Sequence, residues 1–297
     1  MSTSKHIVCA IEPNSESKEL AEIAAKIAHQ NECDLTFIHV VAPIWHPYMD
    51  LDMAAISQAQ ASMEASIIEQ ARNHLSTLAA SVGVAPDQIV IKTGDPVAEI
   101  VEYAEELDCQ MIILGVHNRR GLRRLLGSTA HGILNGTDKP IWLVHTSDLP
   151  NNGYKNILIA VDTSDAMPTV LNSARPYIDQ ATQYQTLSVV ESLVTSMDGL
   201  SASAFAASWP IADIRTDLKK AVNFAVREGC EKAGLSLANI VIAEGDPAHA
   251  ICKAAKDQSV DLIIMGSGTR NIVDRILLGS TAHGVLNNTP CDVFIAR

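Results

Sequence analysis

The chain has 297 residues, of which 47% are hydrophobic and 19% charged, and its formal net charge at pH 7 is −12. This composition is typical of a folded globular protein, and the length allows two domains that each bury a core. The negative charge argues against non-specific binding to nucleic acid or anionic lipid, and no apolar run approaches the roughly 20 residues that span a bilayer. The first residues lack the pattern of a signal peptide, so we expect a cytoplasmic protein.

The sequence contains an internal repeat. Residues 125–132, Leu-Leu-Gly-Ser-Thr-Ala-His-Gly, recur unchanged at 277–284. Two further landmarks recur in the same order, namely Gly-Asp-Pro at 94–96 and 245–247 and an apolar segment at 7–12 and 157–162. Several matching landmarks in one order indicate a duplication with small insertions.

Each copy alternates apolar strands with helical patterns. The predicted strands are 7–11, 35–41, 88–92, 110–114 and 141–145, then 157–161, 186–190, 239–243, 261–265 and 293–296. The predicted helices are 15–29, 53–82 and 96–107, then 165–179, 211–234 and 247–257, with one more starting near Ser128 and Ser280. Continuous Ile, Val and Leu runs are typical of parallel strands buried on both faces.

The alternation predicts an α/β protein made of two tandem, doubly wound parallel-sheet domains of nucleotide-binding-like type. The domains are predicted at 1–147 and 153–297. The linker between them is rich in turn-forming residues. We expect the last strands of the two copies to face each other in an internal pseudo-dimer, because an unpaired apolar edge would invite aggregation. The whole chain could pair further as a homodimer.

Open parallel sheets bind ligands at the carboxyl ends of their strands. In the second copy, the loop after the fourth strand begins at Gly266 and ends at Gly279, directly before Ser280. Glycine lets backbone N–H groups approach a phosphate, and the first N–H groups of a helix favour an anion. Two interpretations of Ser280 stay open here: its hydroxyl donates to a phosphate, or it caps the helix.

This loop resembles the signature of the universal stress protein family, which is Gly-x-x-Gly, nine residues, then Gly-Ser or Gly-Thr. Gly266, Gly279 and Ser280 match in position. The inner glycine is replaced by Thr269, with Gly268 one step early. The resemblance covers both copies almost end to end.

The resemblance implies an adenine-nucleotide site in the second copy, with ATP, alone or with Mg²⁺, as the ligand. The family's aspartate after the first strand matches Asp162, and a valine that contacts adenine matches Val189, or Val190 if the register shifts by one. The implied set is Asp162, Val189, Gly266, Gly268, Thr269, Gly279, Ser280 and Thr281.

The first copy departs further from the signature. Its acid is Glu12, its loop is one residue shorter, and the inner glycine position falls near His117. The corresponding set is Glu12, Val40, Gly115, Gly127 and Ser128. The resemblance therefore implies an altered or empty site in this copy.

Other conspicuous residues have structural explanations. In Gly-Asp-Pro, aspartate suits the N-cap and proline the first helical position, so both copies of this motif are predicted to start helices. His131 and His283 are expected at structural positions. The ten histidines and six cysteines show no metal-ligand spacing, so no metal site is predicted.

The one dense basic cluster consists of Arg119, Arg120, Arg123 and Arg124. If the segment is helical, like charges four residues apart repel, which would favour an anionic ligand. A solvated surface is the alternative interpretation.

No general base or nucleophile stands next to the expected phosphates, so a regulatory or stress-protective binding module is predicted, with at most slow ATP hydrolysis. Two alternatives remain at this stage. One is a weak ATPase or phosphotransferase, and the other is a lipid- or protein-binding scaffold with degenerate sites.

Overall fold

The computed structural model describes residues 5–14, 17–43, 53–116, 126–145, 153–191, 211–268 and 277–297. Two compact units follow the two copies of the repeat. The predicted linker at 147–153 lies outside the described residues, apart from Gly153. Within the described residues, no helix is long and apolar enough to cross a membrane.

The first unit is a five-stranded parallel sheet with helices between the strands. Its strands are β1 His6–Ala10, β2 Asp34–Val41, β3 Ile89–Thr93, β4 Met111–Gly115 and β5 Ile141–Val144. Its helices are α1 Ser17–Gln30, α2 Met53–Val82, α3 Pro96–Glu106 and α4 Ser128–Leu134, with a 3₁₀ turn at Pro86–Gln88. The strand order is β3-β2-β1-β4-β5, so the chain turns back between β1 and β4.

The second unit repeats this arrangement. Its strands are β6 Asn156–Ala160, β7 Gln183–Val190, β8 Ile240–Glu244, β9 Leu262–Gly266 and β10 Asp292–Ala296. Its helices are α5 Met167–Ile178, α6 Ile211–Ala233, α7 Pro247–Asp257 and α8 Ser280–Asn288, with a 3₁₀ turn at Leu237–Asn239. The order is β8-β7-β6-β9-β10, again parallel, and the chain turns back between β6 and β9. The predicted fold class is therefore confirmed.

The central strands are buried because helices cover both faces of each sheet. In β1 the three middle residues are fully buried, and all five residues of β10 are buried. Among the described residues, Trp142 of β5 is the largest fully buried side chain. The strands carry the continuous apolar runs from which they were predicted.

The Gly-Asp-Pro motifs start helices as predicted. Asp95 is the N-cap of α3 and its side chain accepts from the N–H of Ala98 at 2.9 Å. Asp246 does the same for α7, accepting from the N–H of His249 at 2.7 Å. A proline occupies the first turn in both helices, where its missing N–H has no cost.

The last glycine of the repeated eight-residue segment brings two helices together. A Cβ atom added to Gly132 of α4 would lie 2.5 Å from a methyl group of Val97 in α3. At Gly284 of α8, the added atom would lie 2.6 Å from the Cβ of Ala248 in α7. In each unit, the helix that follows Gly-Asp-Pro therefore packs closely against the helix of the repeated eight-residue segment. This close packing accounts for the last glycine of that segment in both copies.

Candidate functional site

The predicted ligand residues of the second half follow strands that end at one edge of the sheet. Ala160 of β6 lies beside Leu187 of β7 and Met265 of β9. Asp162, Val189 and Gly266 each follow one of these residues by one or two positions. They consequently lie at the carboxyl ends of adjacent strands, where the strand order reverses and open sheets bind ligands.

Asp162 closes a tight turn after β6. Its Oδ1 accepts from the backbone N–H of Ser164 at 3.0 Å and from the Ser164 hydroxyl. Helix α5 begins only at Met167, with Ala166 as N-cap, so Asp162 does not cap it. Both bonds end on Oδ1, and Oδ2 is the oxygen left for a ligand on this exposed side chain.

The two valines at the end of β7 differ in their surroundings. The Val190 side chain is 5% exposed, and its carbonyl accepts from the N–H of Gly245 at 3.1 Å. Val190 therefore anchors the turn that starts α7. Val189 is half-buried and carries no such anchor, so it stays the residue predicted to meet a base.

The glycines at the two ends of the loop lie in direct contact. Gly268 has a φ of +92°, in the left-handed region that favours glycine. A Cβ atom there would lie 2.8 Å from the Cα of Gly279. In addition, the N–H of Gly279 donates to the carbonyl of Ser267 at 2.7 Å. Only glycine, which has no Cβ, fits at position 268 in this arrangement. Thr269 lies outside the described residues.

The contact fixes the start of α8. Gly279 is its N-cap and Ser280 its first helical residue, with no side-chain bond capping the helix. The interpretation of Ser280 as the cap is therefore wrong. Its side chain is exposed, and that of Thr281 is half-buried. Exposed hydroxyls beside the first N–H groups of a helix provide donors for an anion.

Gly266 has a structural role as well. A Cβ atom there would lie 3.3 Å from a methyl group of Val170 in α5. In the first half, a Cβ atom on Gly115 would lie 3.0 Å from a methyl group of Leu20 in α1. Both glycines therefore allow the first helix of their unit to pack against the end of the fourth strand.

The first half places its candidate residues at the corresponding edge. Ala10 lies beside Ile38 and Leu114, so Glu12, Val40 and Gly115 follow adjacent strand ends. Gly127 is the N-cap of α4, and Ser128 is its first helical residue. Among the described residues, nothing lies within 4 Å of a Cβ atom added to Gly127, in contrast to Gly279. His117 and the four clustered arginines lie outside the described residues.

Two histidines of the first half form hydrogen bonds with the segment that joins β1 to α1. The Nδ1 of His39 lies 3.1 Å from the carbonyl oxygen of Ile11. The Nε2 of His74 lies 3.1 Å from the hydroxyl of Ser17, which donates to the carbonyl of Asn14. Neither contact could be predicted from the sequence, because each partner is far away in the chain.

The remaining polar residues that the structure describes do not cluster as metal ligands. His131 and His283 have exposed side chains on α4 and α8, so they are surface residues rather than part of a core. All six cysteines are free thiols. Where the structure describes the chain, no group of three His, Cys, Asp or Glu side chains could hold a metal ion.

Comparison with known proteins places this geometry in a family. The model of the universal stress protein family matches residues 3–145 and, a second time, residues 153–297. The chain belongs to the universal stress protein family. Both copies of the repeat match, so the resemblance stated from the loop signature is confirmed.

Single-domain members of the family match about half of this chain. Universal stress protein A homolog 1 of Coxiella burnetii is 30% identical over 131 residues, which are 44% of this chain and 89% of the relative. Universal stress protein YxiE of Bacillus subtilis is 29% identical over 147 residues, which are 48% of this chain and 99% of the relative.

A solved structure covers both domains. A universal stress protein from Archaeoglobus fulgidus aligns over 99% of this chain and 98% of its own, with a TM-score of 0.68 and 19% sequence identity. At that identity the likeness establishes the fold and leaves the ligand open.

Proposed function

We propose that the second half binds an adenine nucleotide, with ATP as the ligand, and that the protein acts as a regulatory or protective nucleotide-binding module. The observation that carries the proposal is the contact between Gly268 and Gly279. It holds the exposed start of α8 at the edge of the sheet where Asp162 and Val189 lie. In this proposal, the groups that donate hydrogen bonds to the phosphates and the carboxylate that binds the sugar lie at the same edge of one sheet.

Each group has a defined task in this proposal. The first N–H groups of α8 and the hydroxyls of Ser280 and Thr281 donate to the phosphates. Oδ2 of Asp162 accepts from the ribose hydroxyls or the adenine amino group, while Oδ1 keeps the turn closed. Val189 supplies an apolar contact to the base. Gly266 and Gly268 shape the loop, and Thr269 completes the family signature.

The experiment is to denature the purified protein and identify any released small molecule by chromatography, followed by calorimetric titration of the emptied protein with ATP, with and without Mg²⁺. An adenine nucleotide in the extract, or saturable ATP binding that Asp162→Ala weakens, supports the proposal. Protein that carries no nucleotide and gains no thermal stability from ATP contradicts it, since a ligand that binds only the folded state must raise the melting temperature.

The same samples test for turnover. The described residues around Ser280 include no carboxylate or imidazole bonded to its hydroxyl. We therefore propose binding without rapid hydrolysis. ATP hydrolysis well above the rate in buffer, lost in Ser280→Ala, would make the protein an enzyme instead.

A further inference from the structure

A small cleft lies at the amino edge of the second sheet, at the opposite end of the strands from the candidate nucleotide site. Its volume is about 110 Å³, several times the roughly 10–15 Å³ that one water molecule needs. The buried residues Ile157 and Val260 form the apolar part of this amino-edge cleft. The polar part comes from the starts of β6 and β7 and the end of α7, and consists of Asn156, Gln183, Tyr184, Gln185 and Gln258.

The polar lining of the cleft belongs to the second half alone. Strand register and helix ends match each of its five polar residues to one position of the first half. The residues at these positions are, in the same order, His6, Asp34, Leu35, Thr36 and Leu107. No amide and no phenol is among them, so the duplication does not account for the polar lining.

Hydrogen bonds to neighbouring elements hold the walls of the cleft. Nε2 of Gln258 donates to Oε1 of Gln185 at 2.9 Å, which joins the end of α7 to β7. The Tyr184 hydroxyl accepts from the backbone N–H of Ser236 at 2.7 Å. These side chains are therefore ordered before any ligand arrives, which lowers the entropy cost of binding.

The same side chains keep hydrogen-bonding capacity for a ligand. The Tyr184 hydroxyl accepts from a backbone N–H and still has its own proton to donate. The bond between Gln185 and Gln258 uses one hydrogen of one amide and the oxygen of the other, which leaves an acceptor on the first and a donor on the second. Asn156 donates from Nδ2 to the carbonyl of Ser259 at 3.1 Å, and its Oδ1 is the oxygen left to accept.

The absence of charge in the lining defines the class of ligand. None of the lining side chains is charged, whereas phosphates and carboxylates are bound through cations. The carboxylate of Asp261 lies at the same edge, but its two oxygens accept from the backbone N–H groups of Asn156 at 3.0 Å and Lys155 at 2.8 Å. A hydroxyl group both donates and accepts, so it matches neutral amides and a phenol.

We propose that the amino-edge cleft binds a neutral polyhydroxylated molecule, a sugar or polyol. Its hydroxyl groups bond to the amides and to Tyr184, and its C–H groups face Ile157 and Val260. The site is separate from the proposed nucleotide site and does not depend on it. Because a few neutral hydrogen bonds in an open cleft contribute little net free energy, the dissociation constant should be on the order of 1 mM.

The test is an NMR titration of the full-length protein with glycerol, myo-inositol, glucose and maltotriose, following the side-chain amide signals of Gln185 and Gln258. We expect saturable shifts with at least one of these probes, and smaller shifts with the charged analogues gluconate and glucosamine. Tighter binding of maltotriose than of glucose would identify a sugar chain as the ligand, and equal binding a free sugar. No saturable shift with any of the four neutral probes overturns the proposal. Tighter binding of N-acetylglycinamide than of all four also overturns it, because the cleft would then recognise a peptide.

Two variants test whether the binding occurs in this cleft. Gln185→Thr and Gln258→Leu install the residue types found at Thr36 and Leu107 of the first half, and each removes one amide. Each should weaken binding of the best neutral probe by roughly three- to tenfold. Gln70→Thr, on α2 of the first unit, is the matched control and should bind the probe like the unchanged protein.

ATP titration of the same variants keeps the two proposals apart. All three should bind ATP as the unchanged protein does, because none of the changed residues lies at the carboxyl edge of the second sheet. Undiminished binding of the neutral probe in both cleft variants, with both shown to be folded by circular dichroism, overturns the proposal whatever the result for ATP.

Discussion

The backbones of Gly268 and Gly279 touch, so that a single added Cβ atom on Gly268 would lie 2.8 Å from the Cα of Gly279. The contact joins the end of β9 to the start of α8 at the point where phosphates are proposed to bind. The family signature has its inner glycine one position later, at Thr269. In this chain, Gly268 has a left-handed conformation, with a φ of +92°.

Gly268→Ala should open this contact. The left-handed conformation costs about 1–3 kcal/mol for a residue with a Cβ, and the overlap with Gly279 adds to that. We expect a lower free energy of unfolding together with weaker ATP binding. Gly83 has a φ of +77° with no atom within 4 Å of an added Cβ, so Gly83→Ala is the control for backbone conformation alone. Equal ATP affinity of both variants would show that the contact is not needed for binding.

Asp162→Ala should weaken ATP binding by about 1.5–3 kcal/mol, which is the range for a hydrogen bond to a charged group and equals roughly a ten- to hundredfold change in Kd. Stability should fall less, because the exposed carboxylate closes a turn and does not cap α5. Ser164→Ala removes the hydroxyl of the turn and keeps the carboxylate, so it should bind ATP nearly normally. Calorimetry and a denaturant melt of both variants check this. Unchanged affinity in Asp162→Ala, with a clear loss of stability, would leave Asp162 a purely structural role.

Tyr154→Phe should destabilise the second unit without affecting the nucleotide. The Tyr154 hydroxyl donates to Oδ2 of the fully buried Asp292 at 2.7 Å. Loss of a donor to a buried carboxylate costs about 1–3 kcal/mol. Tyr103→Phe is the control. The ammonium nitrogen of Lys92 lies 5.6 Å from the centre of the Tyr103 ring, and the phenol oxygen is not part of that contact. Two equally stable variants in urea would contradict the prediction.

The buried thiols should resist modification in the folded protein. Burial raises the pKa of Cys109 to about 11 and that of Cys291 to about 12. At pH 8 at most about one in a thousand of these thiols is a thiolate, which is the reactive form. Labelling with a disulfide reagent should be slow in the native protein and complete in guanidinium. Fast native labelling, located at these residues by mass spectrometry, would show that the thiols are accessible.

The same shifts predict the response of stability to alkaline pH. The unfolded thiols ionise near their ordinary value of 9.0, whereas the folded ones hold their protons to higher pH. The unfolded state therefore loses protons first, and the free energy of unfolding should fall as the pH rises above about 9. Replacing Cys291 by Ala should make this decline shallower. An unchanged slope would mean that other groups cause it.

The parts of the fold that depend on local patterns could be predicted from the sequence. The repeat, the parallel strands and the Asp-Pro helix starts follow from neighbouring residues, and the structure confirms them. The start of α5 was predicted at 165, two residues early, because the turn that Asp162 forms with Ser164 keeps the chain out of the helix until Met167.

The parts of the candidate site that depend on distant residues could not be predicted. The sequence shows Gly268 only as a glycine one step from the signature position, because its contact with Gly279 joins the two ends of a loop. His39 lies within the predicted strand 35–41, and its contact with the carbonyl of Ile11 depends on how this strand lies beside the end of β1. The binding roles of the candidate residues remain predictions.

Nucleotide content of the purified protein tests the central claim most directly, compared between Gly279→Asp and Gly127→Asp. An aspartate at 279 would press on Gly268 and place a negative charge at the start of α8, so this variant should lose its bound adenine nucleotide. The same change at 127 meets no described atom within 4 Å and should lower the total nucleotide content much less. Equal losses from the two variants, with both shown to be folded by circular dichroism, would contradict the assignment of the nucleotide to the second half.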